Sequence, residues 1–340
     1  MVVLVRFDNP VGPVRLVFSA GDLAQMRFAV SPMWEVGTSM RLLRSGAAHP
    51  VHGPWTAQVG ARLTAAGLDR GWLAELVPPR GFVPDFLNPA PEGPAPTLAQ
   101  ELARIRAAPA AAVRRDLDRL AREQGRLGPR SRALYADPPG RLVRVAEEIE
   151  GYWELALAPY WARIRAVLDA DVFHRSRQVA EQGAARLFND LHASMSWSDN
   201  ALRLALRERS LSRRTAGAGL VLIPSAFTGP VPLTRVALPE PPQLAYPARG
   251  TGSLWAPRPA VGTAALAAVL GRSRARLLAE LDAPASTTEL AARTGLSPAA
   301  VSQYLTALRD AGLVSAHRAG RSVLYARTAV GESLLTAGSA

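Results

Sequence analysis

Residues 286–325, STTELAARTGLSPAAVSQYLTALRDAGLVSAHRAGRSVLY, constrain the fold more tightly than any other stretch of the chain. Ser286, followed three residues later by Glu289, is a capping box in which each side chain satisfies a backbone amide at a helix start. The helix runs to about Thr294, and Gly295 follows where a tight turn between helices needs positive φ. Ser297 then caps a second helix, with Pro298 in the first position, where a missing N–H costs nothing. Leu290, Leu296, Val301, Tyr304, Leu305 and Leu308 recur at helical spacing and hold the two helices together, with small Ala291 where they cross. Gly312 ends the second helix. Two short alternating runs follow, Leu313 to His317 and Ser322 to Arg327, joined by Arg318-Ala319-Gly320-Arg321. They predict a hairpin with an arginine on each side of its tip. Helix, turn, helix and basic hairpin together have the shape that reads a DNA major groove and touches the backbone or minor groove beside it.

On that reading the exposed face of the second helix comprises Ser297, Ala299, Ala300, Ser302, Gln303 and Thr306. Gln303 can contact adenine in bidentate fashion, and Ser302 and Thr306 can reach base edges or phosphate. Arg309 either contacts phosphate or faces solvent, while Arg318 and Arg321 at the hairpin tip suit phosphate or the minor groove. The segment resembles the ArsR family of bacterial regulators. The likeness is carried by Glu289-Leu290-Ala291, Thr294-Gly295-Leu296-Ser297, Val301-Ser302-Gln303-Tyr304-Leu305, Leu308-Arg309, Ala311-Gly312-Leu313-Val314, and Gly320-Arg321 with Tyr325. It covers about the last quarter of the chain and implies a transcription regulator. By analogy with the family, the regulator is a repressor that binds a near-palindromic double-stranded DNA operator as a homodimer.

The net charge of +12 comes from 40 basic residues against 28 acidic ones, and every basic residue is arginine. Abundant alanine, proline and glycine trace the same bias to a GC-rich genome, so charge is compatible with nucleic acid without demanding it. The absence of lysine excludes a P-loop lysine and Schiff-base chemistry, and the absence of cysteine excludes a thiol nucleophile and a thiolate metal site. The other metal site common in this family, on the last helix, would find only Glu332 between Thr328 and Leu335. His49-Pro-Val-His52 is the only close histidine pair, and Pro50 opposes a helical arrangement of it, so no metal and no cofactor is expected. Glu147, Glu150 and Glu154 are spaced for one helix face, but a solvated row pairing with Arg144 and other arginines explains them, and no catalytic residue is assigned. Met1 to Val5 is too short for a signal-peptide core, and the apolar run from Gly219 to Phe227 is too short to span a bilayer. A cytoplasmic protein without a membrane segment is expected.

The 340 residues suffice for two domains. The expected fold class is α+β, mainly α. A large helical N-terminal domain with a small β portion occupies residues 1–255, and a winged helix-turn-helix occupies residues 256–340. Pro32 to about Ser45 predicts a helix, and Thr97 with Gln100 caps another that breaks near Pro109. Arg141 to about Phe188 is one long helical pattern, in two pieces bent at Pro159. Leu202 onward alternates, and Leu220–Ile223 and Gln243–Tyr246 read as buried strands. Ser31-Pro32-Met33-Trp34-Glu35, Phe82–Leu87, Gly219–Phe227 and Tyr246–Gly250 resemble an uncharacterised domain that precedes ArsR-type units, a likeness that implies architecture alone. This part is far larger than dimerisation requires and holds many aromatic residues. Trp34, Trp153, Tyr160, Trp161 and Trp197 are therefore candidates for a pocket that binds a hydrophobic or aromatic effector. The alternatives left open are a constitutive DNA-binding protein whose N-terminal domain binds a protein partner, and an enzyme fused to a winged helix.

Overall fold

The computed structural model describes residues 14–17, 20–198, 201–204, 212–214, 219–237, 239–256, 263–319 and 322–337. The chain begins with β1 (Val14–Val17), α1 (Ala20–Ala24), β2 (Met26–Phe28), α2 (Pro32–Ser45), α3 (Gly53–Ala66) and α4 (Trp72–Leu76). A helical stretch follows: α5 (Leu98–Arg106), α6 (Ala110–Gln124), α7 (Pro129–Ala136), α8 (Pro138–Ala156), α9 (Trp161–Gln182) and α10 (Ala184–Leu191). Strands β3 (Met195–Ser198), β4 (Ala201–Leu204), β5 (Ser212–Arg214), β6 (Leu220–Ser225), β7 (Leu233–Arg235) and β8 (Gln243–Pro247) come next. The C-terminal part holds α11 (Thr263–Leu270), α12 (Arg272–Glu280), β9 (Ala285–Ser286), α13 (Thr287–Thr294), α14 (Pro298–Asp310), β10 (Val314–Ala319), β11 (Ser322–Arg327) and α15 (Ala329–Ala337). The fold is thus α+β and mainly α.

The chain divides into two compact units that interleave in sequence. The first takes residues 1–45, 76–142 and 168–249; the second takes 46–75, 143–167 and 250–340. The winged helix is therefore part of a body that also includes α3, the greater part of α8 and the start of α9, so this division does not coincide with a cut at residue 255.

In the first unit a four-stranded sheet runs β2-β6-β8-β7, with β2, β6 and β8 parallel and β7 antiparallel at the edge. Every residue of β6 is buried, which explains why its sequence reads as a continuous apolar run instead of alternating. Leu220, Leu222, Leu244 and Tyr246 face Leu187, Phe188 and Leu191 of α10, while Val221, Ile223 and Ala245 face Trp34 of α2. The period of two along each strand sorts these residues onto the two faces. A second sheet runs β3-β4-β1-β5.

One expected feature changes. The long helical pattern expected in two pieces bent at Pro159 is three helices. A 3-10 turn at Ala158–Tyr160, with Pro159 near its start, separates α8 from α9, and Gly183 at φ +82° separates α9 from α10. Pro159 cannot donate to the helical ladder, and positive φ suits glycine, so both breaks have a local cause. The expected N-cap at Thr97 is present as a complete capping box with Gln100.

Candidate nucleic-acid interface

The second unit builds the candidate surface on a small core. Leu277, Leu278, Leu281, Leu290, Val301, Leu305, Leu308, Leu313 and Val314 are buried together, drawn from α12, α13, α14 and the first strand of the hairpin. The Ser286 hydroxyl accepts from the Glu289 amide at 3.2 Å, and the Glu289 carboxylate accepts from the Ser286 amide at 2.6 Å. That amide holds the Glu289 pKa below its ordinary value. Gly295 has φ +71° and turns the chain from α13 into α14. Ser297 then accepts from the Ala300 amide at 3.2 Å, which fixes where α14 begins. Gly295→Ala is expected to cost about 1 kcal/mol, because an alanine there sits in a left-handed conformation; thermal unfolding reads this directly.

This framework decides which side chains of α14 meet solvent. Ser297, Ala299, Ser302, Gln303, Thr306 and Arg309 are exposed, and Ala300 is half-buried. The Thr306 hydroxyl donates to the Ser302 carbonyl at 3.0 Å, leaving its oxygen free to accept. Arg309 is held by its neighbour Asp310 at 3.1 Å, which offsets its charge. Beyond α14, β10 and β11 pair antiparallel, and Leu324 and Tyr325 of β11 pair with β9. Arg318 is exposed near the end of β10, and Arg321 lies outside the described residues.

Some groups at this surface carry roles that the sequence reading did not assign. The Arg274 guanidinium of α12 lies 5.5 Å from the centre of the Tyr304 ring on α14. Arg327, the last residue of β11, is buried; its Nε donates to the Leu278 carbonyl at 2.7 Å, it also donates to the Ala279 carbonyl, and it pairs with Glu332 at 3.4 Å. Glu332, weighed in the sequence only as a metal ligand, is thus an ion-pair partner.

Residues 276–316 match the family described as bacterial regulatory protein, arsR family. This segment is an ArsR-family helix-turn-helix. The chain accordingly carries the domain of a DNA-binding transcription regulator. No curated protein and no solved structure matches the chain. The ArsR match begins within α12 and ends at Ala316, within the first strand of the wing; the hairpin extends to Arg327.

The five aromatic residues grouped as an effector pocket are divided between the units. In the first, Trp34 donates to the Gln243 side chain at 2.7 Å, and Trp197 stacks on Phe188 with ring centres 4.9 Å apart. In the second, Trp153 and Trp161 meet edge to face at 4.8 Å, and the Tyr160 ring meets Trp255 at 5.4 Å while its hydroxyl bonds Gln58. Both His49 and His52 have other partners: His52 Nδ1 accepts from Trp255 Nε1 at 2.9 Å, and His49 Nδ1 accepts from the amides of Val51 and His52. Along the row of glutamates on α8, Glu147 pairs with Arg144 at 2.9 Å and Glu154 with His317 at 3.1 Å. Among the described residues no helix is long and apolar enough to cross a membrane.

Proposed function

We propose that the chain is a one-component transcriptional repressor that binds a near-palindromic operator as a homodimer and responds to a non-metal small molecule. The observation that carries this reading is the exposed Ser302, Gln303 and Thr306 face of α14, followed by a wing with exposed Arg318. Two copies of α14 would lie about 34 Å apart in successive major grooves. The reading assigns the chain no catalytic site and no cofactor. An effector would act by favouring a dimer geometry whose recognition helices no longer match the half-site spacing. Trp34 and Trp197 in the first unit, or Trp153, Tyr160 and Trp161 in the second, are the aromatic candidates for its site. A melting temperature raised by a hydrophobic or aromatic metabolite would support the sensor.

The expected dimer surface lies on α11 and α15, which contact each other in the second unit. Ala265, Ala268 and Val269 are exposed on α11, and Ala329 and Val330 on α15. Val269 is 82% exposed, a large apolar side chain left in water unless a partner covers it. Val269→Asp is expected to yield monomers in sedimentation and to weaken operator binding at least tenfold; an unchanged dimer would remove this helix from the interface.

For DNA, Gln303→Ala is expected to weaken operator binding about tenfold while leaving random duplex nearly unaffected, since a bidentate base contact is worth about 1–3 kcal/mol. Arg318→Ala is expected to weaken both equally and to reduce the salt slope by about 1. Binding to the chain's own upstream sequence and to a scrambled duplex, across a salt series, measures both. Equal losses on the two duplexes for Gln303→Ala would remove base readout from this residue.

A further inference from the structure

The wing of this helix-turn-helix is held from outside the motif, by the corner where α8 gives way to α9. The 3-10 turn Ala158–Tyr160 lies against both wing strands, β10 and β11. Two polar attachments flank it. On one side Glu154, near the end of α8, lies 3.1 Å from Nδ1 of His317 on β10. The other ring nitrogen, Nε2, is 2.8 Å from the Ser315 hydroxyl, which itself lies 3.3 Å from the Ala326 carbonyl on β11. A carboxylate only accepts, so Nδ1 of His317 donates to Glu154, while the Ser315 hydroxyl lies between Nε2 and the Ala326 carbonyl. The chain joins α8 to both strands of the wing.

On the other side Arg163, in the first turn of α9 and 7% exposed, donates to the Asp282 carbonyl at 3.0 Å and to its carboxylate at 3.4 Å. The same carboxylate lies 3.9 Å from Arg327, which ends β11. A third bond, to the Ala256 carbonyl at 3.0 Å, ties down the segment that leads toward α11. The wing is thus fixed at its middle through His317 and at its base through Arg327. The anchoring residues come from the end of α8 and the start of α9, the two longest helices among the described residues, of 19 and 22 residues.

The distances along Ser315, His317 and Glu154 are also those of a serine–histidine–carboxylate relay. The Ser315 hydroxyl also lies 3.3 Å from the Ala326 carbonyl, however, and all three groups join elements of one packed body, which gives the arrangement a positioning use. An ordinary surface pair such as Arg144–Glu147 leaves both side chains more than half exposed, whereas the His317 side chain is only 13% exposed and its Glu154 partner 50%.

We propose that Glu154 and Arg163 are positioning residues for the wing, setting where Arg318 meets the DNA backbone although neither belongs to the helix-turn-helix. The proposal rests on the DNA-binding reading of the wing. A shift at the end of α8 or the start of α9 would reach the wing through these contacts, and the regulator would change its DNA affinity without any change in the recognition helix.

The test uses the full chain with Glu154→Ala, Glu154→Gln and Arg163→Gln, and with Arg177→Ala as a control, an exposed residue of α9 in the first unit. Hydrogen–deuterium exchange is followed at amides 314–319 and 322–327 of the free protein, and affinity for a mixed-sequence duplex is measured alongside. Glu154→Ala is expected to speed wing exchange and weaken duplex binding by about threefold, the scale of a single ion-pair contact. Glu154→Gln restores most of both, because its amide oxygen still accepts from Nδ1. Arg163→Gln moves the same amides, and the control moves neither reading. Wing exchange that is unchanged in both Glu154→Ala and Arg163→Gln would overturn the proposal. Failure of the unaltered chain to bind any duplex would overturn the DNA-binding reading itself, and the exchange data would still decide whether these residues hold the wing.

Discussion

Glu35→Gln is expected to make the chain more stable than the unaltered protein at pH 8 and no more stable at pH 5. Glu35 sits in the first turn of α2 with no exposed surface, both carboxyl oxygens within 3.2 Å of the Ala226 amide. Burial pushes its pKa up from 4.5 to about 8, against the opposing pull of hydrogen bonds from Ser225, Ala226 and Phe227. A carboxyl group with a raised pKa holds its proton more tightly when folded than when unfolded. Its contribution is therefore complete below about 4.5 and is lost as the pH climbs through about 8. At about 1.4 kcal/mol per pH unit, that span corresponds to about 4–5 kcal/mol. Glu101, which accepts from the Ser31 hydroxyl at 2.5 Å and the Met33 amide at 2.8 Å, is pushed up to about 7 by burial and adds a loss of the same sign. Both groups hold the N-terminal turn of α2, the helix that covers one face of the parallel sheet. Glutamine mimics the protonated acid, so the variant should show a flatter decline in urea midpoint between pH 5 and pH 8.5. A pH slope identical to that of the unaltered chain would show that Glu35 is ionised in the fold.

Arg327→Ala is expected to cost about 3–5 kcal/mol in the second unit and to weaken DNA binding with it, because it removes a buried guanidinium that bonds an acid and two carbonyls. Glu332 would lose its contact with the guanidinium, and the carbonyls of Leu278 and Ala279 at the end of α12 would lose a shared donor. Burial lowers the Arg327 pKa while Glu332 and Asp282 push it back up. Arg327→Lys should recover less than half of the loss, since a single ammonium cannot serve divergent acceptors as a planar guanidinium does. The double variant Arg327→Ala with Glu332→Gln should be less destabilised than the sum of the two single changes. Thermal unfolding across the four proteins measures the coupling, and additive losses would show that the pair is not one unit.

The C-terminal motif was legible because its signals are local. Ser286 with Glu289, Gly295 at positive φ, Ser297 before Pro298 and Gly312 after α14 each act over three or four residues, and each appears where the sequence places it. The exposed face of α14 follows from the 3.6-residue period in the same way. The Asp310 contact that holds Arg309 involves its immediate neighbour, and both outcomes for Arg309 were left open by the spacing alone.

The N-terminal half divides differently. Leu220–Ile223 and Gln243–Tyr246 read as buried strands, but nothing local reveals that β6 pairs in parallel with β2, across almost two hundred residues, or that Trp34 covers one face of the sheet. Aromatic count alone could not separate Trp34 and Trp197 from Trp153, Tyr160 and Trp161, because the chain passes between the two units repeatedly. The same crossing places Glu154 beside His317 and Arg163 beside Asp282. Caps, turns and periodicity act through backbone hydrogen bonds a few residues apart, so the sequence by itself determined the helix-turn-helix, its hairpin and the exposed face of the second helix. Strand order, the assembly of residues 46–75 and 143–167 with the winged helix, and the partners of Glu35, Arg327 and His317 depend on burial shared by distant segments, and only the tertiary structure decided them.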